Sequence, residues 1–168
     1  ETAALRGHLI GLDRSVFQVI AFVPDEAASS VSASFEDLAD DFIALPVGDI
    51  PRAAEIVAGE NLDVLMAGAN ITNTCRFPWT LLMAQRLARL QVAMHCSNIT
   101  TGFSTVDLYI NGTLNEPDDA RDEYSEELAL VPGSSNYYAF PGPDIEPAAI
   151  TREQIGVPDA ALLLVSGA

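Results

Sequence analysis

Leu90–Pro132, LQVAMHCSNITTGFSTVDLYINGTLNEPDDARDEYSEELALVP, is the stretch whose reading decides the fold. Leu90 to Met94 is a short apolar run, long enough for a buried strand. His95 to Gly102 is a polar loop that closes on a glycine. Val106 to Ile110 is a second strand-like run, and Asn111-Gly112 behind it is a turn signal. Pro117 then opens an acidic stretch of helical composition. Strand, small-residue loop, strand and helix is how an α/β domain presents a loop beyond its strand ends, where such sheets bind ligands.

The flanking sequence repeats this alternation. Ala3 to Leu12 has helical spacing, with Leu5, His8, Leu9 and Leu12 on one face. Val16 to Val23 is β-branched and aromatic and reads as a buried strand stopped by Pro24. Ser34 is placed to cap a helix over Phe35–Asp41, with Asp37 in the acidic position of a capping box. Phe42 to Pro46 is a short strand. Asp49 caps the next helix, Pro51 lies in its first turn, and Gly59 ends it. Leu62 to Met66 is a strand, Ala67 to Arg76 a small polar loop, and Phe77 to Ala88 a helix with Pro78 in its first turn. Repeated alternation of strand and helix argues for a largely parallel sheet with helices on both faces.

Several residues of the opening stretch stand in an order that resembles the glycosyltransferase family of the O-GlcNAc transferases, the bacterial SPINDLY-like proteins and the HMW1C-like protein glucosyltransferases. That family has a Gly-His/Tyr-Pro-x-Thr/Ser-Thr/Ser-Gly loop after a strand, an Asp-Tyr strand, a Pro, then Tyr-Ser-Glu-x-Leu and a Leu/Met-Pro pair. The matching residues here are Thr100, Thr101, Gly102, Asp107, Pro117, Tyr124, Ser125, Glu126, Leu128 and Pro132. The resemblance extends upstream to GHLIGLDRSVFQVIAF and to Asn61-Leu62-Asp63-Val64-Leu65. It implies an α/β, Rossmann-like fold, the N-terminal domain of a GT-B catalytic region. Residues 1–140 would form that domain. Residues 141–168 would be a linker, rich in Pro141, Pro143 and Pro147, and the start of a second domain. There Thr151 caps a helical turn with Gln154 at N3, and Leu162–Val165 reads as a strand.

By the same resemblance the protein uses a UDP-sugar as donor substrate and a protein as acceptor. It needs no further cofactor and no metal. The implied substrate-binding residues are Ser97, Asn98, Thr100, Thr101 and Gly102 of one loop and Thr72 of another; no catalytic residue is assigned. In its own chemistry the first loop offers hydroxyls and backbone N–H groups, and Gly102 permits close approach of a ligand. Two departures favour a second reading, a non-catalytic binding domain derived from that family. Cys96-Ser97-Asn98 stands where the family has Gly-His/Tyr-Pro, and Ile71 stands where it has a polar ring. The family's important histidine would fall near Ala4. Its Arg-Pro-Ala-Pro-Ile-Gln is here Arg86-Leu87-Ala88-Arg89-Leu90-Gln91, and loss of both prolines predicts a helix that runs on toward the strand. His8 and His95 lack a recognisable nucleophile motif and read as structural.

Composition bounds the remaining options. At 168 residues the chain has room for a proper core. No apolar run reaches the roughly 18 residues needed to span a bilayer. The formal net charge is −16, with arginine as the only basic side chain besides two histidines, a surface that repels nucleic acid and anionic lipid. Cys75 and Cys96 make neither a disulfide framework nor a zinc site, so free thiols in a reducing cytoplasm are expected. The acidic run Glu116, Asp118, Asp119, Asp122, Glu123, Glu126, Glu127 lacks the alternation and glycine of a calcium loop and reads as a solvated helix face. No G-x-G-x-x-G follows the first strand, which argues against an unrelated dinucleotide binder.

Overall fold

A computed structural model describes residues 7–27, 37–67, 71, 77–94, 99–135, 149–158 and 160–164. The described residues include six strands: β1 (Ile20–Pro24), β2 (Asp41–Leu45), β3 (Val64–Met66), β4 (Leu90–Met94), β5 (Leu108–Gly112) and β6 (Glu127–Val131). The helices are α1 (Ile50–Gly59) and α2 (Phe77–Met83), and residues 7–10 are also helical. β1 pairs with β2, and β3-β4-β5-β6 form a sheet in sequence order. Every ladder is parallel. The fold is therefore the expected Rossmann-like α/β class with a parallel sheet.

α1 forms where its local signals place it. The Asp49 carboxylate accepts a hydrogen bond from Arg52 N, Pro51 fills the first turn, and Ala53, Ala54 and Val57 are buried on one face. The left-handed residue that follows is Asn61 (φ 52°) rather than Gly59; asparagine tolerates that conformation better than most side chains. The Ala53, Ala54 and Val57 face packs with Leu45, Leu82 and Leu87, and a second cluster gathers Tyr109, Leu128, Ala93, Met83 and Ile71. Trp79 of α2 and Leu65 of β3 touch both clusters and join the α1–β2 half to the four-stranded sheet.

Six expectations are corrected. The first strand begins at Ile20, not Val16. Asp13 accepts from Ser15 N (2.9 Å) and Ser15 Oγ (2.7 Å), and its carbonyl accepts from Val16 N and Phe17 N, so the chain turns there and leaves Val16 exposed. No helix runs to Asp41. Residues 37–40 are a turn in which the Asp40 carboxylate takes Val19 N (2.7 Å), and Asp41 opens β2; residues 28–36 lie outside the described set.

α2 stops at Met83 although both prolines are gone. The cause is Gln91, fully buried on β4. Its Nε2 donates to Met83 O (3.2 Å) and Thr105 O (2.9 Å), and its Oε1 accepts from Leu87 N (2.6 Å). The Thr105 hydroxyl also donates to Met83 O (2.7 Å). Side chains thus satisfy a helix-end carbonyl that another turn would otherwise have used.

The acidic stretch is not a helix beyond a short 3-10 turn, Ala120–Glu123, and it leads into β6, which the charge pattern concealed. Tyr124 is extended there and its ring lies 4.9 Å from that of Tyr109. Asn111-Gly112 ends β5 rather than forming the turn, which falls at 113–115. Finally, Leu162–Leu164 form no strand among the described residues; Leu162 and Leu164 are 87% and 85% exposed. A strand needs a neighbour to take its backbone groups. By contrast the capping box at 151–154 is present: Thr151 N donates to Gln154 Oε1 (2.8 Å) and Gln154 N to Thr151 Oγ1 (3.3 Å). The proline-rich linker of residues 141–147 and the strand end at Val165 lie outside the described residues. Among those residues no helix is long and apolar enough to cross a membrane.

Candidate functional site

The connection after β4 leaves the C-terminal end of that strand and, because β5 runs parallel to β4, returns to the opposite edge of the sheet before β5 begins. Of the residues implied as substrate-binding, Thr100, Thr101 and Gly102 are described; Ser97, Asn98 and Thr72 lie outside the described residues. The three described residues are held by the start of β6. Glu126 is 6% exposed. Its carboxylate accepts from Thr100 Oγ1 (2.6 Å), Thr101 N (2.7 Å), Thr101 Oγ1 at short range, and Ser125 Oγ (3.1 Å). Thr100 Oγ1 in turn accepts from Ser125 N (3.1 Å) and Gly102 N (3.2 Å), and Thr101 Oγ1 accepts from Phe103 N (3.2 Å).

Burial alone would raise the pKa of Glu126, but the hydroxyls of Thr100 and Thr101 and the Thr101 N–H outweigh it and hold the carboxyl below its ordinary range. The carboxylate is therefore charged at neutral pH, and its lost hydration is replaced by fixed donors. A carboxylate whose folded pKa is lowered contributes stability above its unfolded pKa, and loses it as pH falls through the folded value.

Gly102 has φ +69°, and nothing lies within 4 Å of where a Cβ would sit. Ile99 beside it is 56% exposed. The outward surface of the described loop is thus an open glycine flanked by one apolar side chain, while the threonine hydroxyl protons point inward. Composition identified the loop. It did not reveal that its hydroxyls are spoken for, because Glu126 sits in a run read as solvated. The signal available was the fixed spacing between Thr100-Thr101 and Ser125-Glu126.

The other end of β5 carries a second polar group. Asn111, fully buried, accepts through Oδ1 from Gly112 N (2.9 Å), Asn115 Nδ2 (3.0 Å) and Ser135 Oγ (2.8 Å), and donates to Glu116 Oε1 at short range. Tyr124 Oη donates to the same Glu116 oxygen (2.6 Å). Burial, then the Glu116 contact, raises the Tyr124 pKa well above its ordinary value, so the phenol stays protonated as the donor. Every member is engaged within the group, which fixes the β5 end rather than opening it to a ligand.

Ile71, in the position where the resemblance has a polar ring, is 5% exposed and belongs to the core with Tyr109 and Leu128. His8 has its pKa lowered by burial, partly offset by a hydrogen bond to the Ser135 backbone, as befits a structural histidine; His95 lies outside the described residues. Among the described residues no group of three His, Cys, Asp or Glu side chains could hold a metal ion.

No protein family and no curated protein is matched by the chain. Solved structures do match. An O-GlcNAc transferase mutant of Thermobaculum terrenum superposes with a TM-score of 0.68 at 20% identity, over 84% of this chain and 26% of that one. The chain therefore spans about a quarter of the length of that neighbour. At such identity the likeness is one of fold, and the fold this chain shares is that of part of an O-GlcNAc transferase.

Proposed function

We propose that this chain is the first Rossmann-like domain of a GT-B glycosyltransferase, with residues 1–140 as that domain and 141–168 leading into a second. The intact protein would transfer a sugar from a UDP-linked donor to a protein side chain, in the cytoplasm, where Cys75 and Cys96 remain thiols. The observation that carries this reading is a coincidence of order and place. Thr100-Thr101-Gly102 and Tyr124-Ser125-Glu126, the two motifs of the resemblance, meet at the entry to β6, where the connection from β4 returns toward the start of β5. In this reading Ser97, Asn98, Thr100, Thr101, Gly102 and Thr72 form the border of the sugar and acceptor pocket. Holding donor and acceptor in line and stabilising the leaving diphosphate would supply most of the rate enhancement.

One observation favours a second reading, a non-catalytic binding domain: Ile71 is a core residue where the resemblance calls for a polar ring. The two readings separate on turnover. UDP release is followed with the intact protein and with the isolated 168-residue chain, each given UDP-sugars and a protein acceptor. Release by the intact protein alone is the expected result, since most donor contacts belong to the second domain. Binding of UDP-sugar without release selects the non-catalytic reading. Turnover by the isolated chain overturns the assignment of 1–140 as half a catalytic region.

A further inference from the structure

We propose that Glu126 is a positioning residue that sets the shape of the Thr100–Gly102 loop, so that a sugar ligand meets Gly102, Ile99 and hydroxyl oxygens whose protons are already taken. The inference rests on the proposed function for the identity of the ligand, but on geometry alone for the hold. An ionised carboxylate only accepts hydrogen bonds. Four donors converge on Glu126, and three of them belong to the loop: Thr100 Oγ1, Thr101 Oγ1 and Thr101 N. Each threonine hydroxyl has one proton, and Glu126 takes both.

As acceptors, Thr100 Oγ1 takes Ser125 N and Gly102 N and lies 2.8 Å from Ser125 Oγ, while Thr101 Oγ1 takes Phe103 N and keeps one acceptor position. That leaves, besides this position, the open face of Gly102, where a Cβ would meet nothing within 4 Å, and the exposed Ile99. Among the described residues no arginine is paired with Glu126, so its donors are neutral hydroxyls and one amide, all contributed by the loop and by Ser125. The loop and the start of β6 thus form one unit: moving either breaks the other.

Glu126→Gln tests this. The amide keeps the shape, but its NH₂ group faces donors and must turn at least one of them loose. Amide hydrogen exchange at Thr101 and Gly102 in the intact protein is expected to rise roughly 10- to 100-fold, the factor carried by a hydrogen bond to a charged group. Exchange in the core strand β4 should stay within about threefold, well inside the range over which local openings differ. Thr101→Val, which removes one hydroxyl and keeps the shape, should give a smaller rise at the same amides, and it serves if Glu126→Gln does not fold.

For transfer, KM for the donor sugar is expected to rise more than kcat falls. An acid limb of kcat/KM is expected with wild type, where activity falls as the carboxylate protonates, and should be absent from Glu126→Gln. Unchanged exchange at Thr101 and Gly102 in both variants overturns the inference. So does a loss of activity that follows global unfolding, with KM and the acid limb unmoved. An intact protein that transfers no sugar refutes the proposed function, while the exchange measurement still decides whether Glu126 holds the loop.

Discussion

Gln91→Leu is expected to cost about 4 kcal/mol of folding stability, since each buried backbone group left without its partner costs roughly 1–3 kcal/mol. Leucine fills a similar space but makes none of the bonds. Leu87 N–H loses its acceptor and Thr105 C=O its donor; Met83 C=O keeps the Thr105 hydroxyl. The site is fully buried, so water cannot take over. Gln91 N also donates to Asp107 Oδ2 (2.8 Å), and the Arg86 guanidinium grips both oxygens of that carboxylate at 2.5 and 2.9 Å. Those contacts use the backbone of Gln91 or none of it and should survive. Urea denaturation of the chain measures the loss, and a cost below about 1 kcal/mol, the net worth of a single ordinary hydrogen bond, would contradict the role given to Gln91.

Gly112→Ala should be nearly as damaging, for a steric reason. A Cβ there would lie 2.4 Å from Gly133 O and 2.4 Å from Ser135 N. Both are backbone atoms, which cannot step aside as the end of a side chain can. The passing strand is fastened on each side: Leu114 N donates to Gly133 O (3.0 Å) and Gly133 N to Thr113 Oγ1 (2.9 Å). Forcing it outward also strains the Ser135 hydrogen bond to Asn111. We expect a loss of about 3 kcal/mol, the upper part of the usual range for overpacking. Thermal unfolding reads it, and an alanine variant as stable as wild type would show that 133–135 does not lie against β5 as described.

These residues explain how a resemblance of sequence becomes a likeness of fold. Gln91 and Arg86, both part of the resemblance, knot the end of α2 to β4 and β5. Asp107 has its pKa lowered by the Arg86 fork first and by Gln91 N second. Tyr124 and Leu128 pack on the core beside Tyr109. Of the matched positions Leu128 lies in β6 and Tyr124 packs on the core, and these announce architecture rather than chemistry.

The elements legible in the sequence were those whose signal is local. Asp49 and Pro51 mark the start of α1, and Leu90–Met94 is apolar enough to be β4. The elements that escaped depend on partners far along the chain. β6 begins at Glu127, and the Glu126-Glu127 pair at its entry looks solvated until Thr100 and Thr101 are brought against the first of them. Val16 and Phe17 look like a strand, but Asp13 and Ser15 close a turn on them. α2 ends through a glutamine eight residues beyond its last turn, which no helix propensity encodes. At the candidate site the loop itself was visible, whereas the direction of its hydroxyls was not.

The central claim is that the intact protein places a donor sugar against the loop following β4. It is tested most directly by photolabelling with a UDP-sugar that carries a diazirine on the sugar, followed by peptide mapping. The account predicts label within residues 95–103, competed away by unlabelled UDP-sugar and reduced by Glu126→Gln. Competed label confined to other parts of the chain, or no competed label at all, would contradict it.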